Sequence, residues 1–253
     1  MTELDKIVNQ LNDETSNHSK RVGYYAYIIS KEMGYSTQES KDNAIAAITH
    51  DLGKKDIDQS VLNKPDKLTD EEFAEIKRHP EAGYQALLKA DLDSAFTPVQ
   101  KEKMLQIALC HHEKVDGNGY PRGLKGDQIP MEANMVCLVD AFDALTAKRV
   151  YKKAWDEESA KEWLLSQEGK MFAPEVTQAY EKAHKKIVEI KKYLEDNPKS
   201  MNTHDFDREI EFILSTKGMG FDNSENASRG FGVERGKGIE MPNSIPNRKT
   251  KIG

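Results

Sequence analysis

The chain has 253 residues, 37% of them hydrophobic and 32% charged, so it is long enough to bury one large core or two smaller ones. A formal net charge of -6 gives no overall basic field, which argues against a polymeric nucleic acid as a partner. No apolar run reaches the roughly 20 residues that cross a bilayer, and the N-terminus lacks a secretory signal. We therefore predict a cytoplasmic protein without a membrane span, in which Cys110 and Cys137 are reduced and buried.

Nearly every readable segment repeats its apolar residues every three or four positions, which predicts an all-α fold. Three helix starts carry a capping box: Ser36 to Glu39, Thr69 to Glu72 and Thr97 to Gln100. The predicted helices span 3–33, 37–51, 70–79, 81–90, 98–112, 131–147, 157–168, 174–195 and 205–216. Two long irregular pieces, 52–68 and 113–129, lie between them, and irregular pieces of that length inside a compact domain are usually functional.

The C-terminal part of the chain differs from the rest in composition. We divide the chain into a helical domain over 1–195, an additional C-terminal helix over 196–216 and a tail over 217–253. The tail holds seven of the sixteen glycines and no helical stripe, which predicts disorder. Its seven Lys or Arg against four Asp or Glu give a net charge of +3. This composition fits a solvated tail, and it also leaves open an acidic protein partner that binds there.

Polar residues interrupt the apolar face of the first predicted helix. Glu14 and His18 are four residues apart, so they lie one turn from each other on the face that points to the interior. Burying a carboxylate and an imidazole costs several kcal/mol unless something pairs with them, and a metal ion uses both. For this pair alone, a core histidine with an ordinary hydrogen-bond partner is the alternative.

The same residue types return in later helices. They stand at the ends of apolar runs or within them: His50, Asp51, His79, His111, His112 and Asp140. Adjacent residues on a helix point about 100° apart, so neighbours such as His111 and His112 can contribute ligands to two ions. Nitrogen and oxygen ligands suit iron or manganese, and equally zinc by ligand type alone. The pattern therefore predicts a centre of paired metal ions.

Together these motifs resemble the HD-GYP phosphodiesterases, a branch of the HD-domain metallohydrolases. The resemblance covers about residues 14–153 and rests on "ETSNHSKRV", "HDLGK", "KPDKLTDEEFAEIKRHPEAG", "HHEKVDGNGYPRGLKGDQIP" and "VDAFDALTAKRVYKKA", in that order. It implies an all-α core that holds two or three metal ions, with iron or manganese favoured. It also implies hydrolysis of cyclic di-GMP to linear pGpG or GMP, a reaction of bacterial second-messenger signalling.

The resemblance assigns metal ligation to eight positions: Glu14, His18, His50, Asp51, His79, His111, His112 and Asp140. Among these, Glu14 is associated with a third ion, and Asp51 is also expected to orient the attacking water. Lys54 matches a lysine that faces the substrate phosphate. The remaining substrate-binding positions that the resemblance implies are Gly119, Tyr120 and Pro121 of the signature loop, together with Arg149 and Lys152.

Elementary electrostatics agrees with the implied reaction. A cyclic dinucleotide carries two phosphodiester charges, so its hydrolysis needs a strong nucleophile and compensation for charge that grows on the phosphoryl oxygens. A water that bridges two cations loses its proton near neutral pH, which predicts attack by a metal-bridged hydroxide. Lys54, Arg149 and Lys152 would supply local positive charge that this acidic chain otherwise lacks.

Three other interpretations stay open from the sequence. The substrate could be 3',3'-cyclic GMP-AMP, which differs from cyclic di-GMP in one base. A non-catalytic protein that binds a cyclic dinucleotide and signals to another protein would use the same pocket. An HD-domain di-iron oxygenase would use the same ligand types, although the tyrosine loop and the basic positions favour a phosphate substrate. Substrate turnover, as against tight binding without turnover, separates the enzyme from the binder.

Overall fold

The structure is a computed structural model that describes residues 2–147, 154–197, 206–219 and 221. Within these ranges the chain is helical, with no strand beyond a single isolated bridge, so the predicted all-α class is confirmed. The α-helices are α1 (Glu3–Val8), α2 (Asp13–Glu32), α3 (Thr37–Ile48), α4 (Gln59–Leu62), α5 (Asp70–Ile76), α6 (His79–Lys89), α7 (Pro98–Cys110), α8 (Met131–Thr146), α9 (Glu157–Leu165), α10 (Pro174–Asp196) and α11 (Phe206–Thr216). Two short 3₁₀ turns, Leu52–Asp56 and Gly126–Gln128, lie inside the pieces expected to be irregular, and the expectation for 52–68 is wrong at α4, a single helical turn.

Helix α2 lies at the centre of the bundle. It packs against α3, α8 and α10, while α7 packs against α3, α6 and α8. The middle of α2, from Tyr24 to Ile29, is buried on all sides, because neighbouring helices cover every face of it. In the N-terminal half of α2 only part of the surface is covered, and it includes the polar residues Ser16, His18 and Ser19, which therefore need partners.

The N-terminal helix was predicted as one element over 3–33, and this is wrong at residues 9–12. The chain breaks there into α1 and α2. Asn12 has an extended backbone, and its side-chain oxygen accepts a hydrogen bond of 2.8 Å from the Thr15 N–H. An asparagine that caps a new helix competes with helix continuation, which an apolar stripe alone does not reveal.

Other local predictions are confirmed. All three capping boxes form, at the starts of α3, α5 and α7. Cys110 and Cys137 are free and buried, and burial raises the pKa of each thiol to about 12. In the part of the chain that the structure describes, no helix is both long and apolar enough to cross a membrane.

The C-terminal helix α11 packs on α10 and α2. Its Ile210, Ile213 and Leu214 are buried. Polar contacts add to this packing, because Tyr24 donates a hydrogen bond to Glu209 and Lys41 pairs with Asp207 at 2.7 Å. The division of the chain at 195 and 216 stays a prediction, and the predicted tail falls almost entirely outside the described residues.

Candidate metal centre

Five separate segments bring the predicted ligands into one place. His18 comes from α2 and Asp140 from α8, while His50 and Asp51 lie in the turn after α3. His79 is the first residue of α6, and His111 and His112 follow α7. All of these side chains except those of His112 and Asp140 are buried, and these two are partly buried. The fold therefore assembles seven of the eight predicted ligands from positions up to 122 residues apart in the chain.

A close backbone approach at Gly53 positions two of these segments. The turn after α3 packs against the start of α6, and a Cβ atom built at Gly53 would lie 2.0 Å from the His79 carbonyl oxygen and 2.4 Å from the Gly83 nitrogen. A side chain at this position would push the turn away from α6. The glycine thus lets Asp51 and His79 lie on the same side of the centre.

The two oxygens of the Asp51 carboxylate face two different sets of histidines. Oδ2 lies 3.3 Å from His50 Nε2 and 3.6 Å from His18 Nε2. Oδ1 lies 3.3 Å from His79 Nε2 and 3.9 Å from His111 Nε2. One carboxylate between two imidazole groups is the arrangement of a bridging ligand, so Asp51 divides the centre into two adjacent positions.

Each position has a third donor or more. On one side, His18, His50 and Asp140 offer ligand atoms within 4.8 Å of one another, and His18 Nε2 lies 3.1 Å from Asp140 Oδ1. On the other side, His79, His111 and His112 form an equally compact group. The His79 and His111 Nε2 atoms are only 3.2 Å apart. With Asp51 shared between them, both positions combine nitrogen and oxygen donors, which suit a divalent transition metal.

Backbone carbonyls fix the tautomers of three of these histidines. His50 Nδ1 lies 2.7 Å from the Ala47 oxygen, His79 Nδ1 lies 2.8 Å from the Ile76 oxygen, and His111 Nδ1 lies 3.0 Å from the Ile107 oxygen. A carbonyl oxygen only accepts, so each Nδ1 carries the proton and donates it. The Nε2 atom of each ring then presents its lone pair to the centre, as a metal ligand must.

The residues present therefore fit a metal pair. His50 Nε2 and Asp51 Oδ1 are fully buried and have no hydrogen-bond partner among the described residues. Two lone pairs also face each other between His79 and His111. Leaving such atoms unpaired in the interior costs about 1–3 kcal/mol each, and cations bound at the two positions would satisfy them.

Burial and charge set the protonation of the imidazoles. Burial lowers the pKa of His79 to about 4 and that of His112 to about 3, and it lowers the pKa of His111 well below its ordinary value. These three rings are neutral at pH 7 and available as ligands. Burial alone would also lower the pKa of His18, but its hydrogen bonds to Asp140 and Asp143 outweigh that effect and raise the pKa to about 9.

The carboxylates of the centre are ionised. Burial raises the pKa of Asp51, but electrostatic interactions with the neighbouring His50 and Lys54 outweigh it and hold the pKa well below the usual range. Burial also acts against ionisation of Asp140, and the hydrogen bond and charge of His18 reverse the effect, so the Asp140 pKa is lowered as well. Negative charge is thus concentrated where cations would bind.

Asp143, which the sequence analysis did not single out, holds His18 in place. Its Oδ2 lies 2.7 Å from His18 Nδ1, on the side of the ring away from the centre. Arg21 donates two hydrogen bonds to the same carboxylate, of 2.8 and 2.7 Å. A carboxylate behind a ligating histidine orients the ring and raises its basicity. Asp143 stands three residues after Asp140, so helical spacing is a signal that could have revealed it.

The predicted catalytic and loop residues lie beside the centre. Lys54 Nζ pairs with Asp51 Oδ2 at 2.5 Å, which puts an ammonium group at its edge. The Tyr120 ring stacks on the His112 ring with centroids 4.7 Å apart and 27° between the planes. Gly119 and Pro121 flank Tyr120 in the same loop, and the bond between Tyr120 and Pro121 is cis. The signature loop thus covers a predicted metal ligand directly.

Three predicted site residues are not part of this assembly as described. Glu14 is exposed and belongs to none of the compact groups of described residues. Arg149 and Lys152 fall outside the described residues. In addition, the sequence analysis missed Lys77, whose ammonium lies 5.9 Å from the centroid of the Tyr120 ring. Its position two residues before His79 is a weak signal, because exposed lysines are common on helix surfaces.

Comparison with known proteins gives a consistent result. A family model described as "HD domain" matches residues 4–176, which is more than half of the chain. A solved structure of Bd1817, a HDG"Y"P protein from Bdellovibrio bacteriovorus, aligns with a TM-score of 0.52 and 20% identity, covering 70% of this chain and 55% of that one. At this identity the structural match speaks for the fold alone.

Curated relatives are similar at higher identity. The cyclic di-GMP phosphodiesterase response regulator RpfG of Xanthomonas campestris pv. campestris is 38% identical over 71% of this chain and 46% of its own length. A cyclic di-GMP phosphodiesterase of Thermotoga maritima is 37% identical over 79% of this chain and 54% of its own. A 3'3'-cGAMP-specific phosphodiesterase 2 of Vibrio cholerae is 37% identical over 69% and 32%. The chain spans about half the length of the first two relatives.

Proposed function

We propose, from the premise that this chain belongs to the HD-domain family in its HD-GYP branch, that it is a metal-dependent phosphodiesterase that hydrolyses a cyclic dinucleotide. The family membership confirms the resemblance seen in the sequence. The favoured substrate is cyclic di-GMP, cleaved to pGpG, GMP or both. Relatives of similar identity carry names for cyclic di-GMP and for 3'3'-cGAMP, so both substrates belong to the proposal.

The observation that carries the proposal is the position of Asp51 between two imidazole groups. Its two oxygens each lie 3.3 Å from a histidine Nε2 on opposite sides, and three of the surrounding rings are held in the ligating tautomer by backbone carbonyls. A protein that only reads a dinucleotide has no need for two adjacent metal positions with a shared carboxylate. Two adjacent cations suit the hydrolysis of a phosphodiester, because together they can stabilise both the attacking and the leaving oxygen.

Each residue around the centre has its own role in the proposed reaction. Two divalent ions bound here would activate a water and offset the charge that grows on the phosphoryl oxygens. Asp51 faces both positions and would orient that water through its carboxylate. Lys54, at the edge of the centre, would pair with a nonbridging phosphate oxygen. Tyr120 would border the nucleotide with the face of its ring that is not stacked on His112.

Metal identity and number are also part of the proposal. The donor set of imidazoles and carboxylates supports iron or manganese. Two of the three compact groups of ligands lie on opposite sides of Asp51 and support two positions, and the third group, His50, Asp51 and His111, joins them. A third ion would need Glu14, which is exposed near the start of α2. Arg149 and Lys152 are proposed to hold the second phosphate and the sugar, on the grounds of their positions in the sequence.

A non-catalytic receptor for the same ligand is the alternative from a different class. The tail, with its net charge of +3, is proposed as the part that would contact a protein partner. The cytoplasmic location predicted from the sequence stays a prediction, and it agrees with a nucleotide substrate that is made inside cells.

An anaerobic assay tests the proposal. The purified chain is reconstituted with iron or with manganese and mixed with cyclic di-GMP or 3',3'-cyclic GMP-AMP, and the products are separated by chromatography. We expect cleavage that disappears in Asp51→Asn. The matched control is His184→Gln, a buried histidine that contacts Tyr180 at 3.0 Å outside the ligand groups, and it should keep the activity. Tight binding of a dinucleotide without any cleavage would favour the receptor instead.

A further inference from the structure

We infer that Glu113 is a positioning residue that clamps the signature loop against the metal centre and so sets the place of Tyr120. This inference rests on the proposed function, because it concerns how the loop meets the dinucleotide. Glu113 follows His111 and His112 directly in the sequence. It is fully buried, with 0% of its surface exposed, although glutamate is among the residue types least often found in that state.

Both oxygens of the Glu113 carboxylate accept hydrogen bonds from backbone N–H groups of the loop. Oε1 accepts a hydrogen bond of 2.7 Å from the Arg122 N–H, and Oε2 accepts one of 2.9 Å from the Leu124 N–H. Both donors lie nine to eleven residues further along the chain. A buried carboxylate that satisfies two backbone N–H groups is a strong local constraint, because hydrogen bonds to a charged acceptor are stronger than those to a neutral one.

The other end of the loop is held close to the same residues. The Tyr120 N–H donates to the His112 carbonyl oxygen at 3.1 Å. A Cβ atom built at Gly119 would lie 2.4 Å from the Lys114 nitrogen, 2.5 Å from the Glu113 Cα and 2.6 Å from the His112 oxygen. The loop therefore folds back onto the segment that follows the two histidines, and glycine at 119 permits that approach.

These contacts tie Tyr120 to a predicted ligand from both sides. Its backbone is attached to the His112 carbonyl, its ring stacks on the His112 ring, and the chain just beyond it is held by Glu113. Without Glu113, the Arg122 and Leu124 N–H groups would lose their acceptor, and the next contact that holds the chain beyond Tyr120 would be the 3.0 Å hydrogen bond from the Gly126 N–H to the Val115 carbonyl oxygen. Glu113 thus acts on the substrate through the loop, while the ligands themselves are held by other contacts: backbone carbonyls for His50, His79 and His111.

The test uses Glu113→Gln, which keeps the shape of the side chain but replaces one acceptor oxygen with an NH2 group that faces a backbone donor. The matched control is Asp42→Asn, another buried carboxylate, which accepts hydrogen bonds of 2.9 Å from Gln38 and 2.8 Å from Gln100 away from the centre. Three quantities are measured: bound metal by elemental analysis, kinetics on the cyclic dinucleotide and on bis(p-nitrophenyl) phosphate, and amide hydrogen exchange across 113–126.

For Glu113→Gln we expect metal content and bis(p-nitrophenyl) phosphate turnover close to wild type, because this small diester needs the metal centre but not the loop. We expect KM for the cyclic dinucleotide to rise about tenfold, as the loss of a charge-assisted hydrogen bond predicts, with kcat within about twofold. Exchange at Arg122 and Leu124 should become faster. Asp42→Asn should lower stability and leave KM and these two amides unchanged.

Several results would overturn the inference. One is an unchanged KM together with unchanged exchange in Glu113→Gln. Another is an equal loss of activity on both substrates in Glu113→Gln. A third is an equal rise in KM for the cyclic dinucleotide in Asp42→Asn. Either result would indicate a general loss of structure. If Glu113→Gln does not fold, unprotected Arg122 and Leu124 amides in the wild type would by themselves refute the clamp. If the wild type cleaves neither dinucleotide but its loop amides lose protection in Glu113→Gln, the proposed function fails and the clamp stands.

Discussion

Arg21 donates two hydrogen bonds, of 2.8 and 2.7 Å, to the Asp143 carboxylate in the interior of the bundle. The pair links α2 to α8 at the point where each helix supplies a predicted metal ligand. Burial raises the pKa of Asp143, but the hydrogen bonds from Arg21 and His18 outweigh it and keep the carboxylate ionised. A charged carboxylate therefore stands behind His18 and fixes the direction of its ring.

Asp143→Asn should weaken metal binding at the position of His18. The asparagine cannot be a full charge partner for Arg21, and it no longer stabilises the donor tautomer of His18 as strongly. We expect the affinity for manganese to fall about 10- to 100-fold, the range seen when such supporting carboxylates are removed. Titration of the chelator-treated protein with manganese measures this. Arg21→Lys keeps a positive charge beside Asp143 and should lose less affinity than Arg21→Met. Equal losses would mean that the positive charge at residue 21 does not matter.

Glu14→Ala tests the number of ions. If Glu14 holds a third ion, the substitution lowers the metal content by about one ion per chain on elemental analysis, and it leaves the fold intact because the side chain is exposed. Asp13→Ala, at the neighbouring exposed carboxylate, is the control. Unchanged metal content in Glu14→Ala would defeat the three-ion interpretation and favour the two positions around Asp51.

Arg149→Ala should weaken use of the dinucleotide while the metals stay bound. An arginine that pairs with a phosphate contributes a charge-assisted contact, so we expect kcat/KM to fall by about 10-fold or more. Steady-state kinetics and elemental analysis on the same preparation measure both quantities. Lys153→Ala, a basic residue nearby in the sequence, is the control. Loss of the metals in Arg149→Ala would assign the arginine a structural role.

The stability of the chelator-treated protein should peak near pH 6.5. His79 and His112 bind protons near their ordinary pKa of 6.5 in the unfolded chain but only at about 4 and about 3 in the fold, so stability falls as the pH drops below 6.5. His18 has the opposite sign: its folded pKa of about 9 stabilises the protein below 6.5, and this contribution is lost as the pH rises through 9. Urea unfolding from pH 4.5 to 9.5 measures both slopes.

The variant His18→Asn separates the two sides of that pH profile. It removes the group that titrates on the alkaline side, so the decline between about pH 6.5 and 9 should flatten while the acid decline remains. A profile that falls equally on the alkaline side in wild type and variant would show that His18 is not held protonated by Asp140 and Asp143. The experiment uses chelator-treated protein, since bound metal competes with the same protons.

Gly53→Ala should disturb both stability and metal binding. Its Cβ atom would meet the His79 carbonyl oxygen at 2.0 Å, so the turn must move away from α6 and take Asp51 with it. We expect a loss of about 1–3 kcal/mol in the free energy of unfolding, together with weaker metal binding. Gly169→Ala is the control: that glycine has φ of 71° and no atom within 4 Å of a built Cβ. It should lose stability through strain yet bind metal normally.

The sequence by itself determined the all-α class, the capped helix starts and the set of residue types at the centre. Helix periodicity and capping boxes depend on neighbours within a few residues, so the starts of α3, α5 and α7 could be predicted from the local sequence. The family motifs carried His18, His50, Asp51, His79, His111, His112 and Asp140, all of which the fold brings together. The helix break at Asn12 was not predicted, because the apolar stripe continues across it.

Only the tertiary structure decided how those residues face one another. That Asp51 turns one oxygen to each histidine group depends on the approach of the turn at Gly53 to α6, which no periodicity encodes. The roles of Asp143 and Glu113 were hidden for the same reason: each acts on residues distant in sequence, Asp143 on His18 and Glu113 on Arg122 and Leu124. Spacing along a chain predicts which side chains share a helix face, whereas a binding centre depends on where separate helices cross.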